Sequence, residues 1–264
     1  MKRVFKQNPL ERELLRLKTE ERRYMQKRRE EKANRLNALL EDKVPEKLQE
    51  TLDSAFAGAF SLIFQKGTGI IEKTYDKDRI EEESRDGRRQ ILHRQDRRSF
   101  RNVTEKAGGS GLKNLLLSGA AGIGMGAFGA GLPDIPLFTA MILKSIYEIA
   151  LQYGFSYESE EEKYFILLLI QGAVADWDEL QDIEEKIDVF IDTELLPLYY
   201  SREGQIRSAA AGLSKELLYM KFLQGTPIVG IIGGVYDVVY MKKINEYAEL
   251  KYRRRFYRKM QKTE

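Results

Sequence analysis

The sequence has no cysteine, one histidine (His93) and six prolines in 264 residues. The missing cysteines exclude disulfides, thiolate metal sites, iron–sulfur clusters and cysteine nucleophiles. A lone histidine excludes a zinc site that needs several imidazoles. His93 stands among Arg94, Arg97 and Arg98 and reads as a solvated surface side chain. Alternation of apolar and polar residues is nearly absent, and β-branched residues do not cluster, so no strand is expected. No 7–15-residue apolar stretch of the secretory kind follows Met1–Arg3. The expected setting is the reducing cytosol or the cytosolic face of a membrane.

What the chain does have is charge, 44 basic and 41 acidic side chains, and the net of +3 hides a strong segregation. Residues 1–50 carry 15 basic and 10 acidic groups, a net of +5; residues 156–203 carry 3 and 14, a net of −11; residues 242–264 carry 9 and 3, a net of +6. Two readings follow. The basic ends meet an anionic partner, lipid or nucleic acid, or they fold back onto the acidic middle. In the C-terminal run, Lys242, Lys243, Lys251, Arg253, Arg254, Arg255, Arg258 and Lys259 interleave with Tyr240, Tyr247, Tyr252, Phe256 and Tyr257. On a helix this is a basic amphipathic face suited to anionic lipid, and these eight cations are the candidate lipid contacts. Nucleic acid is the weaker partner, because no RNA-binding module signature is present.

Helical punctuation organises the rest into an all-α multi-helix bundle. Asn8 and Pro9 open a helix over 9–42 whose apolar positions are sparse, so it reads as a charged arm that is solvent-exposed or pairs as a coiled coil. Residues 1–42 are accordingly set apart from a helical domain over 43–264. From Pro45, Leu48, Leu52, Phe56, Phe60 and Phe64 recur every four residues, the stripe of a core-facing helix. Residues 72–110 are densely charged, with Gly87 and the 107–111 run as breakers, and read as a linker or a weak helix around 88–100. Further helices are expected at about 134–153 with Gly154 as a left-handed cap, at 160–175 behind a Ser159/Glu162 capping box, and at 178–200, 205–224 and 227–259. The acids around Trp177 lack the loop spacing of a calcium site and suit a helix N-terminus instead.

One segment stands apart. From Leu115 to Leu132 there is no charge for 18 residues, of which six are Gly and four Ala. Ser118, Gly122, Gly126 and Ala130 fall four apart, a strip of small residues that admits a second helix closely. Eighteen residues reach the lower limit of a bilayer span, so a buried helical hairpin and membrane insertion stay open as alternatives. A second uncharged run, 222–236, contains Pro227 and Gly230 and is too short to span. The G-x-G-x-x-G match at 124–129 has no strand before it and is not a dinucleotide site. Asp134 interrupts the apolar run, and Glu148 follows fourteen residues later. On one straight helix they sit about 21 Å apart, too far for a direct acid/base pair, so a hydrolase built on them is the least supported reading.

The run Gly122–Gly129, then Leu132-Pro133-Asp134-Ile135-Pro136, then Ile146-Tyr147-Glu148-Ile149-Ala150 and Tyr153-Gly154-Phe155, resembles the signature of the EcsC family. Thr226-Pro227-Ile228-Val229-Gly230, followed by Arg253-Arg254-Arg255-Phe256, is similar to that family's closing motif. The resemblance spans roughly residues 40–259 and leaves the basic arm outside. It implies a bacterial accessory protein of an ABC exporter system, without a defined reaction and without catalytic residues to carry over. Gly122, Gly126, Asp134, Pro136, Glu148, Tyr153, Gly154, Pro227 and Gly230 are the motif positions, expected to be mostly structural. Together these readings give a non-enzymatic membrane-associated accessory protein with no cofactor, an anionic membrane surface and ABC transporter subunits as partners, and peripheral or partly inserted placement. The alternative is a soluble scaffold that forms homo-oligomers through residues 9–42.

Overall fold

The computed structural model describes residues 8–34, 46–66, 69–107, 134–223 and 235–262, and every regular element among them is a helix. In chain order these are α1 (Pro9–Asn34), α2 (Glu46–Lys66), α3 (Gly69–Glu72), α4 (Lys77–Arg94), α5 (97–107), α6 (Asp134–Gln152), α7 (Glu160–Val174), α8 (Trp177–Thr193), α9 (Arg202–Leu223) and α10 (Val235–Gln261). The chain is all-α.

Two helices form the centre because they are apolar nearly all round, the pattern of a fully buried helix. In α7 the run from Tyr164 to Ile170 is buried, as are Ala173 and Val174. In α6, Ile135, Ile142, Leu143, Ile146 and Ala150 are buried. Among the described residues α6 alone is long and apolar enough to cross a membrane, and most of its span Ile135–Gln152 is buried inside the protein. Around this pair, α2 and α4 lie on α6, α8 and α9 lie on α7, and α10 touches both. The four-residue stripe of α2 faces inward as its spacing requires: Leu52, Phe56, Phe60 and Phe64 are buried, and Phe56 meets Phe138 of α6 edge-on at 6.4 Å.

The helix ends obey their sequence signals. The Asn8 side chain accepts the N–H of Leu10 at 3.0 Å. Gly154 has φ +75, its N–H donates to Leu151 O at 2.8 Å, and the Phe155 N–H donates to Ala150 O at 2.9 Å. This is the paired closure that left-handed glycine permits. Ser159 caps α7 by accepting the Glu162 N–H at 3.2 Å, but only half of the expected box forms. The Glu162 carboxylate turns inward to Tyr252 and Arg255 instead. α8 is shorter than expected, because Glu194 takes a left-handed cap (φ 56) and Pro197 follows.

Two expectations are corrected. The charged stretch 72–110 is not a linker, for α4 and α5 fill most of it. Their break falls at Gln95, which is left-handed (φ 44), and at Asp96, whose Oδ1 accepts the Ser99 N–H at 2.8 Å. Gly87 breaks nothing. It sits inside α4, where an added Cβ would stand 2.8 Å from Val103 Cγ2 of α5, so glycine serves the close approach of two helices. The N-terminal arm, over its described residues 8–34, is not free. Leu10 and Leu17 are buried and α1 lies along α10 in the opposite direction, with Tyr24 against Tyr247 at 5.5 Å between ring centres. The apolar positions offered for a coiled coil are thus partly used within the chain. Residues 35–42 of the expected arm lie outside the described residues, as does the whole uncharged run 115–132.

Candidate functional site

The motif carboxylate Glu148 stands in surroundings unlike those of an ordinary carboxylate, buried and under-bonded. It projects from the fourth turn of the buried helix α6, one turn beyond Lys144, because residues four apart share a helix face. Both side chains are about 3–4% exposed and their charged atoms are 3.9 Å apart. That separation is an ion pair without a short hydrogen bond, so the desolvation cost is only partly offset. Lys144 Nζ donates to the Thr74 carbonyl at 3.2 Å, just after α3. Glu148 Oε2 and the hydroxyl of Tyr147 have no hydrogen-bond partner among the described residues. Burial pushes the Glu148 carboxyl up to about 7, against the opposing pull of Lys144 and Arg79. A carboxyl at that value changes protonation in the neutral range.

Beside it lies a polar chain built from α3, the turn after it and the loop before α7. Tyr147 and Tyr157 stack at 4.1 Å between ring centres. The Tyr157 hydroxyl donates to Glu72 Oε1 at 2.7 Å and accepts from the Tyr75 hydroxyl at 2.8 Å. Lys77 closes the rim with Glu158 at 2.7 Å and Glu72 at 3.5 Å. Burial, and then the hydrogen bonds to Tyr75 and Glu72, push the Tyr157 phenol far up, so it acts only as a neutral donor. These tyrosines lock the α3–α4 corner onto α6.

The candidate lipid contacts on α10 are mostly committed inside the chain. Arg255 Nη1 donates to Glu162 Oε2 at 2.6 Å, and its Nε donates to Glu194 at 3.1 Å. Its guanidinium carbon lies 4.1 Å from the Phe155 ring centre and 5.1 Å from those of Phe165 and Phe190. Lys251 Nζ donates to Glu184 at 2.6 Å and lies 3.4 Å from Glu21 of α1. Arg254 pairs with Asp188 at 2.7 Å, Arg253 pairs with Glu20, and Lys243 pairs with Glu216 at 2.8 Å. Lys242, Arg258 and Lys259 keep exposed side chains. The acidic middle and the basic end thus neutralise one another, with α1 joining them. Arg28 completes that join, since it donates to the carbonyls of Ala173 at 2.8 Å and Ala175 at 2.5 Å. A cation there satisfies orphan carbonyls and opposes the negative end of the α7 dipole. Sequence reading missed Arg28 and gave Glu162 only a capping role, because the partners that matter are 90 or more residues away.

The remaining motif positions divide simply. Tyr153 is buried at the end of α6, its ring 5.7 Å from Phe256, and Gly154 forms the cap. Pro136 lies in the first turn of α6, where its missing N–H costs nothing. Asp134 is the first residue of α6, which continues unbroken to Gln152, so Glu148 lies about 21 Å further along the axis. Gly122, Gly126, Pro227 and Gly230 lie outside the described residues. His93 is exposed in the last turn of α4. Asp176, of the acidic group around Trp177, pairs with Lys215 at 2.8 Å. Among the described residues no group of three or more His, Asp or Glu is placed to hold a metal ion.

No curated protein and no solved structure matches the chain. The model of the EcsC protein family matches residues 10–256. That range starts at α1, which the sequence motifs had left outside and which packs on α8 and α10. With nearly its whole length matched, the chain belongs to the EcsC family.

Proposed function

We propose that this protein is a non-catalytic accessory protein that works against the cytoplasmic face of a membrane and assists a membrane partner such as an ABC transporter. The observation that carries the reading is the uncharged run Leu115–Leu132, inserted in a chain whose charged fraction is 32%. Such a run in a body rich in ion pairs supplies an element suited to an apolar phase, and its length meets the lower limit for a bilayer core. Its glycine content makes it only modestly hydrophobic, which favours partial insertion or close packing against a partner helix over a free-standing span. The capped helix ends and the internal ion pairs of the helical body support its role as a stable scaffold.

Fractionation of cells producing the full chain tests the reading. The protein is expected in the membrane pellet and is expected to stay there through a high-salt wash, since apolar contact does not screen. Recovery in the soluble fraction at every salt concentration contradicts it.

A further inference from the structure

A groove of about 840 Å³ lies between the start of α2, the α7–α8 corner and α9. Val174, Ala175, Ile183 and Leu218 supply its apolar floor. Ser208, Ala211 and Gly212 line the α9 wall, and their small side chains keep it concave. At Gly212 an added Cβ would press on Val174 Cγ2 at 3.1 Å, so the two helices approach closely beneath the groove. From Ser208 to Tyr219 the groove follows α9 for about 16 Å, three helical turns. A groove of that length suits a helix laid along it, with apolar anchors at three- and four-residue spacing.

The charge around the floor is mostly of one sign. Six carboxylates line the groove against two lysines, Lys186 and Lys215. Lys215 spans the corner at 2.8 Å from Asp176 and 3.7 Å from Glu179, and Lys243 answers Glu216 at 2.8 Å. Glu46, Glu179 and Asp182 present exposed side chains at the rim. α8 itself shows what such a surface takes. It carries seven carboxylates and one lysine between Trp177 and Thr193. Glu179, Asp182 and Ile183 share the face on the groove, while Glu184, Asp188 and Asp192 fall on the opposite face. There Lys251, Arg254 and Arg258 of α10 meet them at 2.6, 2.7 and 3.3 Å, and the Tyr247 hydroxyl donates to Glu184. One face of α8 is thus closed by a basic helix, and the other repeats the acidic half of that arrangement beside an apolar floor. Opposite charge selects and steers such a partner, and apolar contact holds it.

We propose that the groove between α2, α8 and α9 docks a basic amphipathic helix of about three turns, with its apolar side on Val174, Ile183 and Leu218 and its Lys and Arg side chains against Glu46, Glu179 and Asp182. The inference rests on the membrane-partner reading above, because cytoplasmic segments of membrane proteins are rich in Lys and Arg, and it names the chemistry of the segment that partner presents. Titration of the full chain with a Leu/Lys amphipathic peptide, and with a Leu/Glu peptide of the same apolar pattern, tests it. Trp177, the single tryptophan of the sequence, stands at the α7–α8 corner, and its fluorescence reads the binding. The wild type is expected to bind the Leu/Lys peptide saturably and at least tenfold more tightly than the Leu/Glu peptide. Glu179→Lys with Asp182→Lys is expected to weaken binding at least tenfold, whereas Glu82→Lys with Glu203→Lys, the same charge change outside the groove, leaves it within about twofold. Ser208→Phe, which fills the groove without altering its charge, is expected to weaken binding as much as the first pair. Equal losses from the two charge-reversal pairs, wild-type affinity in Ser208→Phe, or no saturable binding by the wild type each overturn the inference. Fractionation of the same proteins reads the parent proposal separately. A wild type that ignores the peptide yet stays in the membrane pellet removes the groove alone, and one that binds the peptide but is wholly soluble removes the membrane reading.

Discussion

Arg255→Met is expected to destabilise the protein by about 3–5 kcal/mol, the cost of leaving one member of a buried ion pair alone. Methionine retains much of the volume between Phe155, Phe165 and Phe190, so the loss reports charge and hydrogen bonding more than a cavity. The orphan is Glu162, which is buried and keeps only the Tyr252 hydroxyl, 2.5 Å from its Oε1. Burial already raises the Glu162 carboxyl above its ordinary range, and Arg255 is the principal opposing influence. Without that guanidinium the carboxyl takes up a proton more readily, and the deficit shrinks as pH falls. Glu162→Gln in the same chain is expected to recover most of the loss, because an amide is far cheaper to bury than a lone carboxylate. Urea unfolding of the two single variants and the double variant measures this directly. A single variant within about 1 kcal/mol of wild type refutes the assignment of Arg255 as the closing cation of the core, since a buried pair costs several times that to break.

The second large effect is a dependence of stability on pH that runs opposite to ordinary acid denaturation. Glu148 rises from 4.5 to about 7 on folding, chiefly through burial. Below pH 4.5 both states hold the proton and the group is neutral to stability. Between 4.5 and 7 the folded state holds a proton that the unfolded state has released, so stability falls with rising pH. Above 7 both carboxyls are ionised and the full penalty is present, on the order of 3 kcal/mol. Other carboxyls titrate nearby, with Glu162 and Glu249 also raised by burial and Glu160 held down by Lys163 and Arg202. The measurement is therefore the difference between wild type and Glu148→Gln, taken by denaturant unfolding at several pH values. The difference is expected to change through the 4.5–7 window and to stay flat above it. Lys144→Met is expected to move the upper edge of that window higher, because Lys144 is the larger of the two influences that lower the Glu148 carboxyl. A wild-type curve parallel to that of Glu148→Gln throughout contradicts the buried, under-bonded carboxyl.

Local chemistry was readable from the chain, and long-range pairing was not. The spacing of Leu52, Phe56, Phe60 and Phe64, the glycine after Tyr153 and the serine before Glu160 each encode a structure completed within a few residues, and each appears as expected. Gly87 shows where local reasoning fails. A glycine in a charged stretch has the look of a break, yet its purpose is set by Val103 on another helix. Glu162 likewise fits a capping box by position, but Tyr252 and Arg255, some 90 residues away, take its carboxylate inward. The segregation of charge along the chain posed two outcomes, and the geometry of α10 resolves five cations, Lys243, Lys251 and Arg253–Arg255, to internal carboxylates. Sparse apolar positions made α1 look exposed. Two buried leucines and one buried arginine were enough to dock it, because Arg28 replaces apolar burial with hydrogen bonds to the end of α7.

The central claim is that the uncharged run meets a membrane, and the absence of cysteine makes it directly measurable. A single cysteine introduced as Leu116→Cys or Phe128→Cys, carrying an environment-sensitive fluorophore, reports whether that segment enters the apolar phase when vesicles containing phosphatidylglycerol are added. The account predicts a blue shift and an intensity gain at both positions, and none at Leu92→Cys on the exposed face of α4. Spectra unchanged at both positions in the run contradict it.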